Sequence, residues 1–128
     1  MCGYSLARTA HSNATIILQA YAKLVGKNKT WYIEKPRFIL GRKAKKPPKL
    51  QPNEQYVWIS EEKNISRMHT YVTWDPSKKG WILKCKGKNG LLVNGQTVTP
   101  ATEELLVPDR AQLRIGDVTL YFLLPKKA

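Results

Sequence analysis

Hydrophobic and polar positions alternate along most of this chain with a period of two. Ala20, Ala22 and Leu24 alternate with Tyr21, Lys23 and Val25 before "GKNK" turns the chain. "TWYIEK" and "RFIL", separated by Pro36, are two further strand candidates, and "YVWIS" at Tyr56–Ser60 is another. In "HTYVTW", Thr70, Val72 and Trp74 share one face, and the turn "DPSKKG" follows. "WILKCK" sets Trp81, Leu83 and Cys85 against Ile82, Lys84 and Lys86, the pattern of a strand with one wet face. Asn94-Gly95, between "LLV" and "TV", is the strongest short hairpin signal a sequence offers. "AQLRI" and "VTLYFLLP" close the chain around Gly116-Asp117.

Many short strands, frequent turns and no long helical period predict an all-β fold, an antiparallel sandwich or barrel. Two segments stand apart. Residues 1–18 are polar and weakly patterned, and predict an N-terminal arm, either flexible or with a short helix around Thr15–Gln19. "KPRFILGRKAKKPPKLQPNEQ", Lys35–Gln55, reads as a long exposed loop between strands, with seven basic residues and no acid from Lys35 to Leu50. There is no internal repeat. At 128 residues the chain is the size of one domain with one sizeable core.

Charge changes the picture. Lys and Arg total 22 against 9 acids, a formal +13, which raises the local concentration of anionic partners without naming one. Two cysteines, Cys2 and Cys85, make no disulfide framework and point to a reducing intracellular compartment. No stretch approaches the roughly 18 apolar residues of a membrane span, and the first twenty residues lack a signal-peptide pattern.

The pair Ser66 and His69 in "NISRMH" raises the question of a nucleophile and its base. A hydrolase serine also needs an orienting carboxylate and an oxyanion hole. Here the Gly-x-Ser-x-Gly elbow is missing, no acidic cluster faces the histidine, and the second histidine, His11, lies in the arm. No catalytic residue is expected. Two distant histidines and two distant cysteines make no metal ligand set, and "GRKAKK" is neither a Walker loop nor a dinucleotide turn. No cofactor is expected. Lys43, Lys45, Lys46 and Lys49, with tryptophans as stacking faces, leave a nucleic-acid contact through the basic loop open.

Read in order, Gly41-Arg42, Ser66-Arg67-Met68-His69, Lys88-Asn89-Gly90 and Asn94-Gly95 resemble the motifs of the forkhead-associated (FHA) domain. "YAKLVGKN", "ISRMH", "GKNGLLVNG" and "LRIGDVTLYFLLP" look like the FHA domains of forkhead transcription factors and related transcription-associated proteins. The resemblance covers about residues 19–125, leaving 126–128 as a tail. It implies a β-sandwich of about eleven mostly antiparallel strands, with recognition loops at one end, that binds phosphothreonine peptides without catalysis. By the same resemblance Arg42 and Ser66 contact the phosphate, with Arg67 and Lys88 as further donors and Asn89 holding the peptide backbone. Gly41, His69, Gly90, Asn94 and Gly95 then support the loops, and the setting is nuclear, in transcription or signalling. The chemistry suits the assignment: a phosphothreonine carries about −1.5 to −2 charge, and each charge-assisted bond to it is worth roughly 1.5–3 kcal/mol.

Two departures from the family pattern are visible. The basic insertion at 43–55 is longer than a compact FHA loop, and "YVWIS" stands where forkhead-type relatives carry an acidic strand. The insertion is expected to extend the peptide surface toward acidic residues, to touch nucleic acid, or to direct the protein to the nucleus.

Overall fold

A computed structural model describes the chain over residues 4–8, 17–46 and 48–125. In chain order the strands are β1 (Tyr4–Arg8), β2 (Ile17–Ala20), β3 (Ala22–Val25), β4 (Thr30–Ile33), β5 (Arg37–Arg42), β6 (Glu54–Ser60) and β7 (Thr70–Asp75). They continue with β8 (Gly80–Cys85), β9 (Leu91–Val93), β10 (Gln96–Val98), β11 (Leu105–Val107), β12 (Ala111–Ile115) and β13 (Val118–Leu123). No helix occurs among the described residues. Six strands form one sheet in the order β10-β9-β12-β13-β3-β4, and five form the second in the order β11-β8-β7-β5-β6. These are the eleven strands of the expected sandwich.

The alternation sorts residues between the sheets and water as expected. Ala22 and Leu24 on β3, Phe38 and Leu40 on β5, Leu83 and Cys85 on β8, and Leu120 and Phe122 on β13 are all fully buried between the sheets. At the centre Trp81 lies 5.6 Å from Phe38 and 5.9 Å from Phe122, ring centroid to centroid. Tilted and edge-on pairs of this kind add about 0.5–1.5 kcal/mol each beyond the area they bury. Two positions depart from the simple pattern, Ile39 on β5 and Ile82 on β8, each buried although its neighbours on the strand face the core. Ile82, on the outward face of β8, is buried because β11, which shows little in the sequence, sets Leu106 opposite it.

The short helix expected near Thr15–Gln19 does not form over the described part of that stretch. Ile17–Ala20 is a strand paired antiparallel with Tyr4–Arg8, Tyr4 opposite Ala20 and Arg8 opposite Ile17. A run containing adjacent β-branched isoleucines favours an extended backbone once a second strand supplies the ladder. Cys2, His11 and the tail 126–128 lie outside the described residues.

The basic loop is shorter than expected, ending at residue 53, because Glu54 and Gln55 already pair with Arg37 and Phe38. Its length has a topological cause. Among the described residues every pairing between strands is antiparallel except β5 with β6, which is parallel. A parallel partner cannot follow through a tight turn, so the chain must first return the length of β5, about 20 Å. Arg37 Nε lies 3.3 Å from the Glu54 carboxylate, and Gln51 N–H donates to that carboxylate at 2.8 Å, fixing where β6 begins. The edge strands β4 and β6 flank one side of the sandwich. There the Gln55 side chain accepts from Glu34 N–H at 2.7 Å and donates to the Tyr32 carbonyl at 2.9 Å, tying one sheet to the other.

Candidate functional site

Gly41, Arg42, Ser66, Arg67 and His69 gather where β5 ends beneath the segment 61–69. Gly41 is buried there, and a Cβ built on it would stand 1.6 Å from the Arg67 carbonyl oxygen and 2.8 Å from the Tyr56 hydroxyl. Only a hydrogen fits, which is the physical reason a glycine precedes Arg42. Arg42 N–H donates to the Ser66 carbonyl at 3.1 Å, and its Nη1 donates to the Lys63 carbonyl at 3.3 Å. Backbone and guanidinium are thus both tied to the same segment.

His69, 1% exposed, answers the question its neighbour raises. Its Nδ1 accepts a hydrogen bond from Ser66 N–H at 3.0 Å, so that nitrogen carries no proton. The proton sits on Nε2, which donates to the Gly90 carbonyl at 2.8 Å. Both ring nitrogens are committed to backbone, and neither is placed to take a proton from the Ser66 hydroxyl. The His69 main chain extends the brace, donating to Leu40 at 2.9 Å and accepting from Lys86 and Gly87 at 2.8 and 2.9 Å. One residue therefore locks β5, the Ser66 segment and the 86–90 connection together. The Ser66 hydroxyl itself has no hydrogen bond among the described residues.

Tyr56, on β6, joins this frame although its sequence context does not single it out. Its single O–H proton is shared between the carbonyls of Arg42 and, at 2.6 Å, Arg67, so one phenol bridges both arginine main chains. Burial pushes the phenol above its ordinary pKa, and the positive charges of Arg42 and Arg67 offset part of that rise. Nothing in the sequence distinguishes Tyr56 from any other strand aromatic.

Outside this frame lies an open cleft of about 500 Å³ lined by Arg42, Lys43, Ala44, Lys45, Lys46, Glu61, Lys63 and Arg67. Six of these eight residues are cationic. The only carboxylate among them, Glu61, lies 3.8 Å from Lys43, and both side chains are exposed. The cleft thus collects two of the predicted ligands, Arg42 and Arg67, and three lysines of the basic loop. It also adds Lys63, for which the nearness of Ser66 was the available signal.

The remaining predicted residues sit differently. Asn89 is exposed and donates through Nδ2 to the Asn64 carbonyl at 2.8 Å, fastening the 86–90 connection to the segment that carries Ser66. Lys88 is exposed beside it, and neither residue lines the cleft. Gly90 supplies the carbonyl that receives His69. Asn94 and Gly95, with φ of 50° and 83°, form the hairpin turn that joins β9 to β10, at the opposite end of β9 from Gly90. Asn94 Oδ1 accepts from Gln112 N–H at 2.8 Å and pins that turn to β12. No group of three or more metal-ligating side chains occurs among the described residues.

Fold and site together define a β-sandwich that presents an anion-seeking cleft from the loops at one end. The chain belongs to the FHA domain family, whose profile matches residues 38–116. It is 31% identical over 120 residues to the Arabidopsis thaliana protein named FHA domain-containing protein FHA2, covering 94% of this chain and 37% of the relative. It is 30% identical over 117 residues to a Nicotiana tabacum protein named Transcriptional activator FHA1, covering 91% of this chain and 54% of the relative. The chain spans about a third to a half of the length of these relatives. Its fold matches the N-terminal FHA domain of Saccharomyces cerevisiae Rad53p, solved in complex with a phosphothreonine peptide. That match has a TM-score of 0.63 and 13% identity, and covers 82% of this chain and 94% of that one.

Proposed function

We propose that this domain is a non-catalytic reader of phosphothreonine in protein partners. The observation that carries the reading is the convergence of Arg42 and Arg67 on one cleft through a frame made by Gly41, Tyr56 and His69. A phosphate dianion offers three strong acceptor oxygens, and a guanidinium fork matches them in geometry as well as charge. Arg42 and Ser66 hold the phosphate, Arg67 and Lys88 add charge, and Asn89 orders the peptide backbone beside it. The phosphothreonine peptide bound to the Rad53p FHA domain and the family membership support this reading. The name of the tobacco relative supports a nuclear, transcription-linked setting.

Binding of the whole chain to phosphothreonine, phosphoserine and unphosphorylated peptide pools at physiological salt tests the proposal, with Arg42→Ala alongside. Phosphothreonine-dependent binding that Arg42→Ala weakens about tenfold or more is expected, since one charge-assisted bond is worth roughly 1.5–3 kcal/mol. Equal binding to all three pools overturns it. Tight binding to duplex DNA or RNA that falls steeply with salt would instead assign the cleft to nucleic acid.

A further inference from the structure

The cleft holds more positive charge than one phosphate neutralises. Arg42, Lys43, Lys45, Lys46, Lys63 and Arg67 face one weakly paired carboxylate, whereas a phosphothreonine brings only about −1.5 to −2. Like charges that line one cleft repel one another, and a ligand that carries further negative charge relieves the repulsion.

A second feature continues the positive row beyond the cleft mouth. Trp58, 41% exposed on the edge strand β6, has Lys43 Nζ 4.9 Å and Lys29 Nζ 4.4 Å from its ring centroid. Lys29 comes from the β3–β4 turn of the opposite sheet and also lies 5.2 Å from the Trp31 ring. The indole therefore holds one ammonium that belongs to the cleft and one that does not, joining them in a single cationic strip across the side of the sandwich. Among the described residues Asp117 is the only carboxylate lining the hollow between Trp31 and Trp58.

We propose that the preferred ligand is a phosphothreonine set in an acidic segment, whose neighbouring acidic side chains lie along Lys45, Lys46, Lys43 and, over Trp58, Lys29. This rests on the phosphothreonine reading above and narrows it to a class of partner sequence. The acidic groups are carboxylates or further phosphorylated side chains, two sources of one chemistry.

Calorimetric titration of the whole chain tests this with four peptides. One carries phosphothreonine among neutral residues, one the same phosphothreonine beside three glutamates, one the phosphothreonine beside a phosphoserine, and one the three glutamates without phosphate. Each exposed ion pair is worth about a factor of two, so three of them compound to about a tenfold preference for the glutamate peptide over the neutral one. A larger gain for the doubly phosphorylated peptide identifies phosphate as the source, and an equal or smaller gain identifies carboxylates.

Two double variants locate the effect. Lys45→Gln/Lys46→Gln is expected to shrink the acidic-to-neutral preference to about threefold or less, as two pairs are lost. Lys78→Gln/Lys79→Gln removes the same charge from the β7–β8 turn at the other end of the sheet and is expected to leave the preference in place. Equal affinities for neutral and acidic phosphopeptides, with dependence on phosphothreonine intact, overturn the inference and leave the reader function standing. A preference reduced alike by both double variants reports only the overall charge of the chain, and overturns it too. Binding of the unphosphorylated glutamate peptide as tight as that of its phosphorylated counterpart overturns both readings.

Discussion

The fit of Gly41 beneath the Ser66 segment makes a sharp demand on a single methyl group. In Gly41→Ala the new Cβ meets the Arg67 carbonyl oxygen at 1.6 Å and its carbon at 2.6 Å. Ordinary contact lies near 3.5 Å, so one side must move by roughly 1.5–2 Å. The obstacle is main chain rather than the end of a flexible side chain, and it is held by the Tyr56 hydroxyl. Moving it drags Ser66, whose N–H is tied to His69 and whose carbonyl is tied to Arg42. Overpacking in tight sites costs about 1–3 kcal/mol and more where nothing yields, so a loss of about 3 kcal/mol is expected.

Urea unfolding followed by tryptophan fluorescence reads that loss, and titration with a phosphothreonine peptide reads the displacement of the ligands. A shift of this size breaks at least one charge-assisted bond, so affinity should fall by about tenfold or more. Gly95→Ala is the matched control. It has nothing within 4 Å to collide with, but its φ of 83° strains any side chain. It should cost about 1 kcal/mol of stability and leave the affinity alone, since it strains only the backbone of the β9–β10 turn. If Gly41→Ala unfolds at the wild-type midpoint and binds within a factor of two of wild type, the close-approach argument is wrong.

Two further variants probe the frame and the core. Tyr56→Phe removes the phenol that holds the Arg42 and Arg67 carbonyls and should cost about 1 kcal/mol, this being a partly exposed site. Because burial raises the Tyr56 pKa, its contribution is fully present below the unfolded value of about 10 and is lost as pH rises through the folded value. The stability difference between wild type and Tyr56→Phe should therefore hold constant from pH 6 to 9 and shrink only in the alkaline range; a difference that shrinks near neutrality counts against the brace. Thr70, fully buried at the start of β7, has a hydroxyl without a hydrogen-bond partner among the described residues. Thr70→Val keeps the shape and removes that cost, so it should stabilise the fold by about 1 kcal/mol in the same urea assay, and a destabilised variant would refute the reasoning.

Strand positions were legible because burial imposes period two, and each turn with a demanding backbone left its mark, as at Asn94-Gly95. The strand Leu105–Val107 was not, because three residues on a sheet edge carry no period of their own. The ribbon of Tyr4–Arg8 with Ile17–Ala20 was hidden for a related reason, since each strand exists only through the other. The Gly-Arg and Ser-x-x-His elements were readable as motifs, whereas their reasons were not. The Cβ that Gly41 cannot carry and the backbone partners of His69 are contacts across 26 and 21 positions of chain, between Gly41 and Arg67 and between His69 and Gly90. The basic segment read as an insertion with a purpose of its own. Its length follows from the parallel pairing of β5 and β6, and its lysines line the cleft because that return path starts at the cleft mouth.

The frame and the cleft divide the work between two kinds of residue. The frame acts almost wholly on main-chain carbonyls: Arg42 reaches Lys63, Asn89 reaches Asn64, Tyr56 reaches Arg42 and Arg67, and His69 reaches Gly90. A carbonyl is the same whatever side chain it belongs to. The loop conformation can therefore persist while the outward residues change, as a shared fold at 13% identity requires. The lysines at 43, 45, 46 and 63 carry little of that frame and are exposed, so changing one alters one charge at the cleft. A change at Gly41, Tyr56 or His69 instead disturbs the segment that carries Ser66 and Arg67 as a whole. On the proposed reading, affinity for the phosphate is set by this main-chain frame, and preference among phosphorylated partners by a row of side chains that costs the fold little to change.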